Sequence, residues 1–241
     1  YRKGYGVHSP FVYNLITKVI EESGHFYLLD DIALTRLKLQ YREELVSYPD
    51  KKKKGAIVQK TLGQLVQKRA ISPKQGALLF KIVNYFKPVH ILQIGTNMGL
   101  STLYLTSYAS GLQCIALESN PAFASVARET FKQARNPIDL REGDYTDLLP
   151  KALEDMEAVD FVYFNMQDDD ICCSSLFNKC VEQTHQNSVF VFKGIKSSSK
   201  MRIAWKEICS HPKVTVTMDL YALGIVFFND KLHKRNYITY Y

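Results

Sequence analysis

The apolar positions of this chain follow two different rhythms. Over the first 87 residues they recur every three or four positions, the spacing that lines one face of an α-helix. Ser9-Pro10 offers a capping hydroxyl ahead of a proline at the first helical position. Phe11, Val12, Leu15, Ile16, Val19 and Ile20 follow in helical register. Asp30 or Asp31 can cap a second helix carrying Ile32, Leu34, Leu37, Leu39 and Leu45. Helical patterns resume at about Thr61–Arg69 and, after Ser72-Pro73, run to Phe86. Between them lie Tyr48, Pro49, Asp50, Lys51–Lys54 and Gly55, where four adjacent like charges predict a solvated linker.

From Val89 onward the rhythm changes. Short β-rich apolar runs occupy Val89–Ile94, Gln113–Leu117, Ile138–Arg141, Val159–Phe164 and Ser188–Phe192. Helical segments alternate with them near Gly99–Ala109, Pro121–Ala134, Thr146–Glu154, Ile171–Thr184 and Ser199–Ser210. Such alternation predicts a parallel sheet with helices on both faces. Val214–Met218 and Leu223–Phe228 are separated only by Asp219–Ala222, too short for a crossover helix, so these two runs must pair antiparallel. The expected fold is α/β, three-layered and Rossmann-like over residues 88–241. Its mostly parallel seven-stranded sheet ends in an antiparallel hairpin, and a helical cap with a Lys-rich linker precedes it over residues 1–87.

Composition fits a globular chain: 46% of the 241 residues are hydrophobic, enough for a core and too many for wholesale disorder. The formal charge of +7 invites a nucleic-acid or membrane-surface reading. Its distribution argues otherwise. Residues 1–89 hold 16 Lys/Arg against 7 Asp/Glu, whereas residues 90–241 hold 15 against 17. The surplus belongs to the cap, and about half of it is the Lys51–Lys54 run. Tyr1, Arg2, Lys3 and Tyr5 mix basic and aromatic side chains, but no recognition motif accompanies them, so nucleic acid is not the expected partner. The longest stretch without Lys, Arg, Asp or Glu, Pro88–Leu117, is broken by small polar residues and glycines, which excludes a transmembrane helix. No charged segment precedes an apolar run at the start, so no secretory signal is expected. Five cysteines, at 114, 172, 173, 180 and 209, lack metal-ligand spacing; thiols in a reducing cytoplasm are the expectation.

The chemistry gathers at three predicted strand ends. After the first comes Gly95-Thr-Asn-Met-Gly99, opening a helix at Leu100-Ser-Thr. Glycines there permit a sharp turn and let a ligand lie close over bare backbone. The spacing is neither that of a dinucleotide fingerprint nor that of a triphosphate loop. The second run ends in Glu118, a carboxylate able to accept both hydroxyl hydrogens of a ribose, or else to cap the helix beginning at Pro121. The third is followed by Gly143-Asp144-Tyr145. Together they define one crevice along one edge of the sheet.

These residues carry a resemblance. From about Val89 to Phe228 the chain resembles class I S-adenosylmethionine-dependent methyltransferases, nearest the small-molecule O-methyltransferase branch typified by catechol O-methyltransferase. The run Gln93-Ile-Gly-Thr-Asn-Met-Gly-Leu-Ser-Thr102 resembles that branch's glycine loop, Glu118 its ribose acid, and Glu142-Gly-Asp144 its adenine-side motif. The opening Arg2–Phe11 segment is similar to a leader of Bacteroidetes members. The resemblance implies S-adenosylmethionine as cofactor. On the cofactor side it puts Gln93, Gly95, Thr96, Asn97, Gly99, Ser101 and Thr102, then Glu118, Ser119, Gly143, Asp144, Tyr145 and Asn165.

Three positions depart from the family pattern. Gln93 replaces a usual acid, Asn165 follows the fourth run where an Asp is usual, and Lys193-Gly194 stands where many relatives have an acidic pair. Metal-dependent relatives hold Mg²⁺ with hard oxygen ligands to lower the pKa of a substrate hydroxyl. An amide and an ammonium in those places imply no catalytic metal. Candidates on the substrate side are Lys193, to orient an anionic acceptor, Asp168 or Asp169, to take a proton, and His8, if the leader folds over the crevice. The Asp168–Asp170 run reads equally as the acidic first turn of the helix at Ile171. The expected function is metal-independent methyl transfer to a small molecule. The alternative is a catalytically degenerate member with a ligand-binding or scaffolding role.

Overall fold

The computed structural model describes residues 8–49, 56–166, 173–239 and 241. Local capping chemistry starts most of the N-terminal helices. Ser9 accepts from the Val12 N–H at 3.4 Å and Pro10 occupies the first turn of α1 (Pro10–Leu15), which runs on as a π-helical turn over Ile16–Ile20. Neither Asp30 nor Asp31 caps α2 (Leu28–Gln40) as the sequence suggests: its N-cap is Tyr27, without a side-chain cap, and both acids lie inside the first turn. Chain then turns back through a strand pair, β1 (Leu45–Pro49) and β2 (Ile57–Thr61). Thr61 and Gln64 form a reciprocal capping box at α3 (Leu62–Arg69), and Ser72 caps α4 (Pro73–Phe86).

The strand pair corrects the expectation of a purely helical N-terminal segment. Leu45 belongs to β1, not to the second helix, and so do Tyr48 and Pro49. Val46 and Tyr48 are the buried positions of β1, a period of two concealed in only five residues. Burial against a distant helix selects it: the Tyr48 ring packs on Phe123 at 5.2 Å between centroids. Residues 50–55, which include the lysine run, lie outside the described residues.

The remaining elements alternate as expected. They are β3 (His90–Ile94), α5 (Leu100–Thr106), β4 (Gln113–Glu118), α6 (Pro121–Thr130), β5 (Ile138–Glu142), α7 (Tyr145–Glu154), β6 (Phe161–Phe164), α8 (Cys173–Val181), β7 (Val189–Lys193) and α9 (Ser199–Ser210). Three strands close the chain: β8 (Val216–Asp219), β9 (Leu223–Phe227) and β10 (Arg235–Ile238). Sheet order is β10-β8-β9-β7-β6-β3-β4-β5. Strands β3 to β7 are mutually parallel, and β9 lies antiparallel between β7 and β8. The sheet has eight strands rather than seven, because β10 adds in parallel to β8 at the edge. Arg235-Asn-Tyr-Ile238 buries only Tyr237, so its sequence carries almost no strand signal and its pairing comes from the open edge of β8.

Alternation along each strand sorts side chains onto two faces. Phe161 and Tyr163 of β6 join one core with α1 to α6, whereas Val162 and Phe164 join another with α7, α8 and α9. The N-terminal helices thus share a continuous core with one sheet face. Chain order reverses at β3, since β4 and β5 extend to one side of it and β6 returns on the other. The carboxyl end of β3 is a topological switch point, the place where open α/β sheets form crevices. Among the described residues no helix is long and apolar enough to cross a membrane.

Candidate active site

The chain leaves β3 through a turn that few side chains would tolerate. Gly95 and Gly99 have φ values of 86° and 84°, and Asn97 between them has 51°. A Cβ on Gly95 would stand 2.7 Å from the Asn165 carbonyl oxygen, and one on Gly99 would stand 2.8 Å from the Phe131 ring. The turn is therefore pressed between the end of β6 and the helix layer. Gly95 and Thr96 both donate their N–H groups to the Leu117 carbonyl, at 2.9 and 3.1 Å.

Glu118, at the end of β4, is 3% exposed. One carboxylate oxygen accepts from the Asn97 N–H at 2.6 Å and the other from the Asn120 N–H at 3.0 Å. A single acid thus braces two neighbouring strand-end turns. Its carbonyl accepts from the Gly143 N–H at 3.0 Å, which draws in the end of β5. There Asp144 caps α7 by accepting from the Thr146 N–H at 2.7 Å. The buried Tyr145 phenol is hydrogen-bonded to Ser119, and burial is the main cause pushing its pKa upward.

Gln93 is fully buried behind this turn. Its amide nitrogen donates to the Gly95 carbonyl at 3.1 Å and to the Ser101 hydroxyl at 2.8 Å, while its oxygen accepts from the Thr102 hydroxyl at 2.8 Å. Both amide hydrogens are engaged within the protein. Gln93, Ser101 and Thr102 therefore shape the turn from inside. Beside them, Asn165 donates its side-chain N–H to the Gly95 carbonyl at 2.9 Å. Two buried atoms flank the turn without a hydrogen-bond partner among the described residues, Asn165 Oδ1 and Thr96 Oγ1.

The acceptor-side candidates fare differently. Lys193 ends β7 next to Asn165 in the parallel pairing that matches Phe164 with Phe192. Its ammonium donates to the Arg69 carbonyl at 3.3 Å, and burial, followed by the Arg69 and Arg36 charges, pushes its pKa down to about 8. His8 directly precedes Ser9, the cap of α1. Phe11, three residues on, packs on Phe227 at 5.0 Å, and Phe227 pairs with Val189 at the opposite end of β7. Asp168 and Asp169 lie outside the described residues.

Two cations escaped the sequence reading. Arg36 is buried on the face of α2 that carries Ile32 and Leu39, and a charge in an apolar helical register was the signal for it. It donates to the Ile71 carbonyl and contacts Tyr104. The Arg69 guanidinium lies over the Tyr48 and Phe123 rings, at 5.6 and 5.1 Å. The two facing strand ends present an amide and an ammonium, and no three His, Cys, Asp or Glu side chains converge among the described residues.

Residues 44–197 match the family model described as O-methyltransferase. The chain belongs to that O-methyltransferase family. It is 29% identical over 100 residues to catechol O-methyltransferase B of Danio rerio, covering 39% of this chain and 38% of that protein. A catechol O-methyltransferase of Niastella koreensis is 29% identical over 89 residues, or 36% of this chain and 40% of its own length. The alignments thus span about two fifths of these curated relatives. An O-methyltransferase of Bacillus cereus, solved in complex with SAH, superposes with a TM-score of 0.59 at 17% identity, covering 90% of this chain and 97% of that one. This last likeness concerns the fold and extends over most of the chain.

Proposed function

We propose that this chain is an S-adenosylmethionine-dependent O-methyltransferase that acts on a small molecule without a catalytic metal. The observation that carries the reading is the Gly95–Gly99 turn at the switch point, braced by buried Glu118 and flanked by two polar atoms that have no partner among the described residues. A buried polar atom without a partner costs about 1–3 kcal/mol, which a ligand that pairs it can recover. Asn165 Oδ1 would accept from the ammonium of the cofactor's amino-acid end, and Thr96 Oγ1 would serve its polar groups. Glu118 would accept from the ribose hydroxyls, and Ser119, Gly143, Asp144 and Tyr145 would border the base. Gln93, Ser101 and Thr102 would hold the turn in shape.

When bound, the cofactor supplies a methyl group on a sulfonium that leaves as a neutral thioether. The protein's part is alignment: an acceptor oxygen held in line and shielded from water gains on the order of 7–11 kcal/mol at best from proximity. Lys193 would hold the acceptor, and a Lewis acid is not required. We place the enzyme in the cytoplasm, where buried thiols such as Cys114 and Cys180 stay reduced. Titration calorimetry of the full chain with S-adenosylhomocysteine tests the reading. Micromolar binding that Glu118→Ala abolishes is the expected result. No heat and no thermal stabilisation at millimolar ligand would leave only a scaffold.

A further inference from the structure

Helix α2 has two apolar faces, and the fold uses one of them. Ile32, Arg36 and Leu39 are buried against the body of the protein. On the other side stand Tyr27, Leu34, Leu37 and Tyr41, which are 82%, 52%, 47% and 79% exposed. At about 100° per residue these side chains fall within roughly 80° of arc, opposite the buried set. Scattered apolar side chains are ordinary on a surface, but a row of them on one helix face marks an interaction site. Beside the row runs a groove of about 180 Å³ between α2, the end of α5 and the segment that follows α6. Asp31, Leu34 and Lys38 line it on one side, Leu103, Gln133 and Arg135 on the other.

The pattern along the row selects its occupant. Tyr27 and Tyr41 stand equally far from Leu34 in opposite directions, so the apolar face reads alike from both ends. Its charge does not. Asp31 lies near the amino end and Lys38 near the carboxyl end, both on the groove side of the row. Among the described residues neither has an ion-pair partner. Asp30, on the opposite flank, is already paired with His25 at 3.0 Å. Two such faces laid antiparallel about a two-fold axis near Leu34 bring Asp31 to the partner's Lys38 and Tyr27 to the partner's Tyr41. A parallel arrangement sets like charges together instead. We propose that this face of α2 binds a second copy of the chain as an antiparallel helix pair. One helix face about 20 Å long offers less than the roughly 800 Å² per partner of a standard interface, so the dimer is weak, with a dissociation constant on the order of 10–100 μM. Nothing in this pairing depends on what the crevice binds.

Sedimentation equilibrium of the full chain from about 1 μM to about 1 mM tests it, and the wild type should pass from monomer to dimer within that range. Leu34→Lys sets two ammonium groups against each other at the axis and should weaken the dimer by about tenfold or more. Asp31→Lys and Lys38→Asp, each alone, should do the same, because each places like charges across the contact. Combined in one chain they restore opposite charges, and the dissociation constant should return to within about threefold of wild type. All three positions are exposed, and circular dichroism checks that each variant keeps its helices. The charge reversals decide the matter by themselves if Leu34→Lys fails to fold. A wild type that stays monomeric at the highest concentration overturns the proposal and gives the face to a different partner. A dimer that Leu34→Lys leaves intact, or that the double reversal does not restore, uses another contact and overturns it as well.

Discussion

The two halves of the crevice are built on opposite principles. On the β3–β4–β5 side one buried carboxylate, Glu118, ties backbone N–H groups of adjacent turns together, and Gln93 has both amide hydrogens engaged. On the β6–β7 side the chain leaves Asn165 Oδ1 without a partner among the described residues and gathers Lys193 with Arg36 and Arg69. The first half is braced by hydrogen bonds, with Thr96 Oγ1 the exception among the described residues. The second holds Lys193 in a buried place that disfavours its charge and, among the described residues, leaves Asn165 Oδ1 without a hydrogen-bond partner, both of which cost stability. The difference teaches where specificity resides: the satisfied half defines a constant pocket, and the strained half awaits the variable reactant.

The largest effect should come from the brace. Glu118→Ala orphans the Asn97 and Asn120 N–H groups and should cost about 3 kcal/mol of stability. In the same variant S-adenosylhomocysteine affinity should drop more than 100-fold, which calorimetry and denaturant melts would measure side by side. A variant that melts like wild type would erase the contrast between the two halves. Next in size, Gly95→Ala forces a side chain into φ 86° and against the Asn165 carbonyl, at a cost of about 2–3 kcal/mol.

On the strained half the sign reverses. Lys193→Met removes a charge that burial and its neighbours disfavour, and should stabilise the empty protein at pH 7 by about 1–2 kcal/mol. Folding lowers the Lys193 pKa from its ordinary 10.5 to about 8. Between those values the unfolded chain binds more protons, so wild-type stability rises with pH across that window. Below pH 8 both states keep the proton and the penalty is fully present, so the advantage of Lys193→Met should shrink from pH 8 upward and vanish above about pH 10.5. Thermal melts of both proteins at pH 7 and pH 10.5 decide it; an advantage that persists at the higher pH would show that packing, not charge, is responsible. Smallest is Thr96→Val, which deletes a hydroxyl that has no partner among the described residues. It should stabilise the empty protein by less than about 1 kcal/mol and weaken S-adenosylhomocysteine several-fold. Unchanged binding would remove Thr96 from the pocket.

Elements with strong local signals were legible from residue order. Ser72-Pro73 and Ser198 start helices whose ends, Phe86 and Ser210, match the apolar pattern, because caps and periodicity act within one or two turns. The short strands β1 and β10 were not, since five or four residues with a half-polar face acquire their state from what they pack or pair against. The site divides the same way. The glycine turn and Glu118 stand out in sequence, but the inward packing of Gln93 and the influence of Arg36 on Lys193 across 157 positions do not.

By itself the sequence determined the alternating α/β architecture, the antiparallel closure, the switch-point turn and its neighbouring acid. Each depends on spacing over a few residues, where backbone geometry leaves little choice. Only the tertiary structure decided which polar groups are satisfied and which are left in tension. Hydrogen bonding and charge balance are sums over neighbours from distant segments: Gln93 is engaged because Ser101 and Thr102 fold over it, and the Lys193 charge is disfavoured because the fold buries it and, to a lesser degree, because α2 and α3 bring two arginines near.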